Sequence, residues 1–278
     1  MARYLGTKKG IAIIPTLLTL GNGFCGFLAL AKTLDAIMLA GSPGFAEKMT
    51  QAAWLIFLAM VFDALDGRVA RLTKQTTEFG AQLDSFTDLI SFGIAPAILI
   101  KAIYEQAMLQ AEMNFSAKLT LLLTALYTIC AVLRLARFTV ETTPEDSHKL
   151  FTGLPTPAAA GMVAATVLFL FEGHQTFPFM KDPATLFTLK RTMLFLPALL
   201  GLLMISKIEF VHLANRFIRG RKTFNYLVQG VLCIFIIAFW YEWAFLLCFL
   251  LYVLSGPVLA VYHSVESLFK GKKNKETF

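Results

Sequence analysis

The chain has 278 residues, of which 57% are hydrophobic and only 15% charged, with a mean hydropathy of +0.66. Soluble domains are about 45–50% apolar, and so few charges do not cover the water-facing surface of a protein this size; an ordinary soluble globule is excluded in favour of a polytopic membrane protein. The formal net charge of +7 does not read as a nucleic-acid footprint, because Lys and Arg sit scattered at the ends of apolar runs rather than gathered in one stripe.

A bilayer core is crossed by a helix of about 20 apolar residues. In chain order such runs fall at about 11–31, 52–72, 82–103, 118–138, 157–172, 192–206, 225–241 and 243–263. They predict an all-α transmembrane bundle of eight spans, or six or seven if the short, charge-bounded fifth and sixth runs do not cross. The first run follows Arg3, Lys8 and Lys9 and passes through Ala29-Leu30-Ala31, the pattern of a signal peptide and its cleavage site. Pro15, Thr16, Thr19 and Asn22 interrupt that run in a way a signal peptide does not need, so a retained helix is expected.

Between the second and third runs, residues 63–88 read DALDGRVARLTKQTTEFGAQLDSFTD. Ionisable groups beside membrane segments are costly and mark functional sites. Asp63 and Asp66 are spaced i,i+3 and Asp84 and Asp88 i,i+4, so each pair projects from one helix face. A turn around 73–78 folds the two helices back on each other and brings four carboxylates together. Their repulsion is relieved by divalent metal, and all-oxygen ligation suits Mg²⁺ or Mn²⁺. Gly67 and Ala70 share the acidic face, and Gly80 opens the third run, leaving room for a ligand to approach. Arg71 stands one turn after Gly67, placed to grip a phosphate bidentately. Metal, arginine and glycine together describe a pyrophosphate site at a membrane interface. Pairing of these acids with Arg68, Arg71 and Lys74 as a solvated helix end accounts for one acidic pair, not for two on separate helices.

Further along, Arg134 and Arg137 lie i,i+3 at the end of the fourth run, where they anchor a span or bind an anion. His148, His174, His212 and His263 lack ligand spacing, and Cys25, Cys130, Cys233 and Cys248 form no C-x-x-C pair, so neither a zinc site nor a disulfide framework is expected. Lys and Arg concentrate at the N-terminus, in 68–74, 134–149 and 207–222, and at the C-terminus. That bias places both termini and the acidic connection on the cytoplasmic side of the membrane. The chain divides into a catalytic membrane domain at 1–206 and a transmembrane hairpin with a basic cytoplasmic tail at 207–278.

Asp63-x2-Asp66-Gly67-x2-Ala70-Arg71-x8-Gly80-x3-Asp84-x3-Asp88 resembles, without a gap, the signature of the CDP-alcohol phosphotransferases. The stretches Leu83-Asp84-Ser85, Ser91-Phe92-Gly93-Ile94-Ala95-Pro96, Leu133-Arg134-Leu135-Ala136-Arg137-Phe138 and Gly153-Leu154-Pro155-Thr156-Pro157-Ala158-Ala159-Ala160 are similar to its phosphatidylserine synthase branch. So is Pro15-Thr16-Leu17-Leu18-Thr19-Leu20-Gly21-Asn22, and together these cover about 11–161. Thr16 and Thr139 depart from that branch, where Asn is usual. The resemblance implies that serine attacks CDP-diacylglycerol at the lipid-linked phosphate, giving phosphatidylserine and CMP. It implies Asp63, Asp66 and Asp84 as ligands to two metal ions, with Asp88 both a ligand and the general base. Gly67, Ala70, Arg71 and Gly80 would take the CDP moiety, Arg134 and Arg137 are candidates for gripping the serine carboxylate or the lipid phosphate, with Lys149 a further serine candidate, and the protein would be a homodimer. Glycerol phosphate, inositol phosphate or choline are alternative acceptors. A cation-coupled transporter is the alternative of another class, but such sites sit at midplane on repeated or broken helices, and no internal repeat is visible here.

Overall fold

The computed structural model describes residues 13–73, 77–109, 117–141, 153–173, 182, 188–189, 192–208, 210 and 240–273, and these form helices and no strands. Most of the seventh predicted run, Lys149 and the histidines at 148, 174 and 212 lie outside them.

Helix α1 (Ile13–Met38) buries Pro15, Thr19, Asn22, Cys25, Gly26, Ala29, Thr33 and Ala36, a stripe at helical period. It runs unbroken through Ala29-Leu30-Ala31, which leaves no exposed, extended cleavage segment there. Its buried threonines close their hydroxyls on their own helix, Thr19 Oγ1 donating to the Pro15 carbonyl at 3.0 Å and Thr33 Oγ1 to that of Ala29 at 2.8 Å. A tight turn (Leu39 N–H to Ala36 O, 2.9 Å) leads into Gly41, whose φ of +85° reverses the chain at no steric cost.

Helix α2 (Gly44–Thr73) packs along α1 more extensively than any other pair of elements. It begins well before the expected residue 52. Glu47, Lys48 and Gln51 give that first part a loop-like composition, but Phe45, Met49, Ala52 and Ala53 bury its inner face. With polar residues at both ends, the continuous apolar stretch of α2 is only Ala52–Phe62. It is therefore not among the helices apolar enough over a membrane-spanning length, although 30 residues reach about 45 Å.

Helix α3 (Glu78–Asp88) continues through a π-helical turn, Leu89–Ile94, into α4 (Ala95–Leu109). Pro96 lacks the amide hydrogen that an unbroken α-helix would send to the Phe92 carbonyl. That carbonyl accepts from the buried Tyr127 hydroxyl of α5 (Ala117–Glu141) at 2.8 Å, and the Gly93 carbonyl from Thr128 Oγ1 at 3.3 Å.

Helix α6 (Thr156–Phe171) is the centre of the bundle, buried almost without a break from Thr156 to Leu170, with Ala158, Ala159, Ala160, Gly161, Ala164 and Ala165 letting neighbours approach closely. Its entry is pinned by Gly153 N–H to Ile208 O (2.8 Å) and Leu154 N–H to Leu203 O (3.0 Å), beside the end of α7 (Leu196–Ile205). A Cβ on Gly153 would collide with the Met204 carbonyl, and its φ of +88° favours glycine independently. Helix α8 (Tyr241–Lys273) lies on α6 and reaches α2 through Phe57 and Phe245, stacked at 4.8 Å, with Trp54 edge-on to Phe245 at 5.8 Å.

Four helices of the described residues are long and apolar enough to cross a membrane: Ile13–Met38, Glu78–Met108, Ala117–Arg137 and Tyr241–Tyr262. Their outer faces carry large exposed apolar side chains, such as Leu17, Phe24 and Phe27 on α1 and Leu121, Leu122 and Ile129 on α5, as lipid contact requires. Helices α6 and α7 are shorter, about 24 Å and 15 Å, and sit inside that ring or against it.

Candidate active site

Helices α2 and α3 hardly touch each other; each leans on α1, and a cleft of about 150 Å³ opens between them. Asp66, Gly67 and Ala70 line it from α2, and Thr77, Gly80, Ala81 and Asp84 from α3 and its cap. Pro15, Thr16 and Thr19 of α1 form its floor. Of the expected positions, Gly67, Ala70, Gly80, Asp66 and Asp84 therefore line one cleft, whereas Asp63 and Asp88 do not line it.

Helix α3 starts where it does because Thr77, with extended backbone, caps it: its Oγ1 accepts from the Gly80 N–H at 3.0 Å. A Cβ on Gly80 would stand 3.1 Å from that hydroxyl, so glycine there serves the cap as well as the cleft. Gly67 is different. A Cβ there would meet only Arg71 Nη2, at 3.9 Å, so nothing in the protein itself demands glycine. The same distance places the exposed Arg71 guanidinium over the Gly67 side of the cleft.

Asp63, Asp66 and Asp84 each offer a carboxylate oxygen within 4.8 Å of the others. Asp66 is 5% exposed, and Asp63 and Asp84 are half-buried. Asp66 Oδ2 and Asp84 Oδ1 are buried with no hydrogen-bond partner. Unmet acceptors of this kind are costly, and three converging carboxylates repel. An oxygen-ligated divalent cation satisfies both at once, so these residues fit one.

Asp88 is not one of those three, although it lies close enough to feel the charge of each. It is 8% exposed, and its Oδ1 accepts from Asn22 Nδ2 at 2.8 Å. Asn22 is fully buried, its backbone carbonyl accepts from Ser91 Oγ at 3.0 Å, and its own Oδ1 has no partner. The α1 contributions, Thr19 and Asn22 above all, were not among the expected site residues. Their signal was present: two polar residues spaced i,i+3 in an apolar run share the face that turns inward.

Arg134 and Arg137 occupy the last turns of α5, Arg134 half-buried and Arg137 exposed, and neither lines the cleft. Lys149 lies outside the described residues.

Residues 12–250 match the family model described as CDP-alcohol phosphatidyltransferase. The chain is similar to a CDP-diacylglycerol–serine O-phosphatidyltransferase of Helicobacter pylori, 33% identical over 198 residues that cover 71% of this chain and 71% of the relative. A protein of the same name from Saccharomyces cerevisiae is 36% identical over 162 residues, 56% of this chain and 54% of the relative. An archaetidylserine synthase of Methanothermobacter thermautotrophicus is 37% identical over 157 residues, 56% of this chain and 58% of the relative.

Proposed function

The chain belongs to the CDP-alcohol phosphatidyltransferase family, and from that membership we propose that it transfers the phosphatidyl group of CDP-diacylglycerol to the hydroxyl of L-serine. The serine oxygen forms a bond to the lipid-linked phosphorus, the bond from that phosphorus to the CMP oxygen breaks, and CMP leaves with the electron pair. The observation that carries this reading is the cleft itself: three converging carboxylates, those of Asp66 and Asp84 with unmet oxygens, beside Gly67, Gly80 and the Arg71 guanidinium. Serine is favoured as acceptor because it is common to the names of relatives whose lipid parts differ, diacylglycerol in one group and archaetidyl in another.

Asp63, Asp66 and Asp84 hold the divalent cations in this reading, Mg²⁺ or Mn²⁺ and two in number, with Asp88 adjoining. When bound, such ions neutralise the pyrophosphate and the charge that develops on departing CMP. Gly67, Ala70 and Gly80 leave room for the nucleotide, and Arg71 binds a phosphate. Asp88 takes the serine proton. It is a weak base for an alcohol, so positioning and charge neutralisation contribute most of the rate. Arg134 and Arg137 are the candidates for the serine carboxylate, together with Lys149.

The same reading keeps eight spans with both termini and the cleft on the cytoplasmic side of the cytoplasmic membrane, so that the acyl tails stay in lipid while the headgroup enters. Catalysis belongs to residues 1–206, the hairpin and basic tail to 207–278, and the working unit is a homodimer, as the family resemblance implies. The test is CMP release by the purified protein in detergent with CDP-diacylglycerol, Mn²⁺ or Mg²⁺ and a panel of alcohols. Serine-dependent release, lost with EDTA and in Asp88→Asn, is expected. Native turnover by Asp84→Asn or Asp88→Asn would overturn the assignment of the site; release with inositol phosphate but not serine would overturn the acceptor alone.

A further inference from the structure

We propose that Asn22 is a positioning residue for the reaction, fixing the orientation of the Asp88 carboxylate from across the α1–α3 interface; this rests on the reading of Asp88 as the base. Asp88 accepts a side-chain amide hydrogen bond from a helix other than its own, the Asn22 Nδ2 at 2.8 Å from its Oδ1. The direction of that bond is fixed by chemistry, since an amide oxygen turned toward a carboxylate would repel it. That bond engages one lone pair of Oδ1 and sets the plane of the carboxylate, which leaves Oδ2 the less encumbered oxygen.

Asn22 is itself held twice. Its backbone carbonyl takes the Ser91 hydroxyl at 3.0 Å, and Ser91 comes that close because Gly26, one turn on, has no side chain; a Cβ there would lie 2.7 Å from Ser91 Cα. Gly23 gives way to Thr87 in the same manner, at 2.7 Å from its Cγ2. Thr87 and Ser91 are thus keyed into α1 beside Asn22, and Asp88 between them is bonded to it. The residue is also poorly explained as a stabilising one. Its Oδ1 is buried without a partner, a cost that an apolar side chain of the same shape would not carry. A buried amide that is half satisfied and bonded to one particular carboxylate is placed for what it does to that carboxylate.

The test is steady-state kinetics on Asn22→Leu, which keeps the branching of the side chain and removes the donor, with Thr33→Val as a control on the same helix far from the cleft. Asn22→Leu is expected to lower kcat about 10- to 100-fold, the scale set by misplacing a reacting group by about 1 Å. KM for CDP-diacylglycerol should stay within about 3-fold, because the cleft residues are untouched, and Thr33→Val should turn over as the native protein does. Where Asn22→Leu does not fold, Asn22→Ser, too short to reach Asp88, is expected to show the same split. In an Asp88→Glu background, whose carboxylate is already displaced, Asn22→Leu should cost less than about 3-fold more, since both act through one group. Native kcat in both Asn22 variants, a loss expressed in KM alone, or losses that multiply fully in the double variant would each overturn the role. The broader reading fails separately. If another alcohol supports turnover, the acceptor is wrong and the same comparison runs with that alcohol; if Asp88→Asn retains native turnover, Asp88 is not the base and the positioning role falls with it.

Discussion

Replacing Asp66 by Asn should make the metal-free protein more stable while removing its response to metal. Asp66 sits at 5% exposure with one oxygen unpartnered, and its carboxylate lies within 4.8 Å of those of Asp63 and Asp84. Two unit charges 4.8 Å apart repel by about 3.5 kcal/mol at an effective dielectric constant of about 20. Water reaching the half-buried Asp63 and Asp84 screens most of this, leaving about 1–3 kcal/mol to be recovered when the charge is removed. The new amide can also donate to a neighbouring carboxylate, which adds in the same direction. At about 2–4 °C per kcal/mol for a chain of this size, the Asp66→Asn protein in EDTA should melt about 2–12 °C above the native protein. Saturating Mn²⁺ should then reverse the order. Metal at about 100 times its Kd adds about 2.7 kcal/mol to the native fold, and little to a variant lacking a ligand. Thermal melts in one detergent, with EDTA and with Mn²⁺ or Mg²⁺, read both effects. A variant less stable than native in EDTA would refute the argument from clustered charge, and a native protein whose melting ignores both metals would refute the site.

Gly67→Ala separates substrate from scaffold: the added methyl meets nothing nearer than 3.9 Å, and Ala gains about 1 kcal/mol over Gly in a helix interior, so melting should hold or rise. If the nucleotide uses that space, KM for CDP-diacylglycerol should nevertheless rise about 10-fold or more; an unchanged KM would place the nucleotide elsewhere. Arg71→Lys keeps the charge but loses the bidentate fork. Because Arg71 is exposed, it too should raise that KM with no change in melting. Tyr127→Phe removes the donor to the Phe92 carbonyl and should cost about 1–3 kcal/mol. Adding Pro96→Ala, which restores a backbone donor, should return part of that loss in a denaturation or melting series.

The acidic constellation was legible because its information is local. Two spacings on two helices define a pair of faces, and Gly67, Ala70 and Gly80 mark which side stays open; all three line the cleft. What spacing does not carry is the partner across an interface. Asn22 and Asp88 are 66 positions apart, and nothing in either helix period pairs them. Helix α2 shows a second limit. Glu47, Lys48 and Gln51 read as a loop before a membrane run, yet they continue a helix whose inner face is already buried at Phe45 and Met49. The π turn was signalled by Pro96 inside a long apolar run, but the location of the widened turn depends on Tyr127 being there to take the freed carbonyl. In α6 the density of alanine and glycine from 158 to 165 carried more meaning than its hydropathy: such residues serve a helix surrounded by others, not one facing lipid.

The division of labour among the helices explains why a fragile arrangement of acids is tolerated. Helix α6, buried along nearly its whole length and pinned at its entry by two backbone hydrogen bonds, carries no signature acid. Helices α2 and α3 carry all four and barely contact each other, so the cleft between them is free of the packing that a nucleotide would have to displace. What keeps the two acid-bearing helices in register is α1, packed along α2 on one side and keyed by Gly23 and Gly26 into α3 and the π turn on the other. A shift of α1 would therefore move the triad and Asp88 relative to one another while leaving the α6 core intact. On this account substitutions that bulk up the α1 seam should damage kcat before they damage folding, whereas equal bulk in α6 should do the reverse.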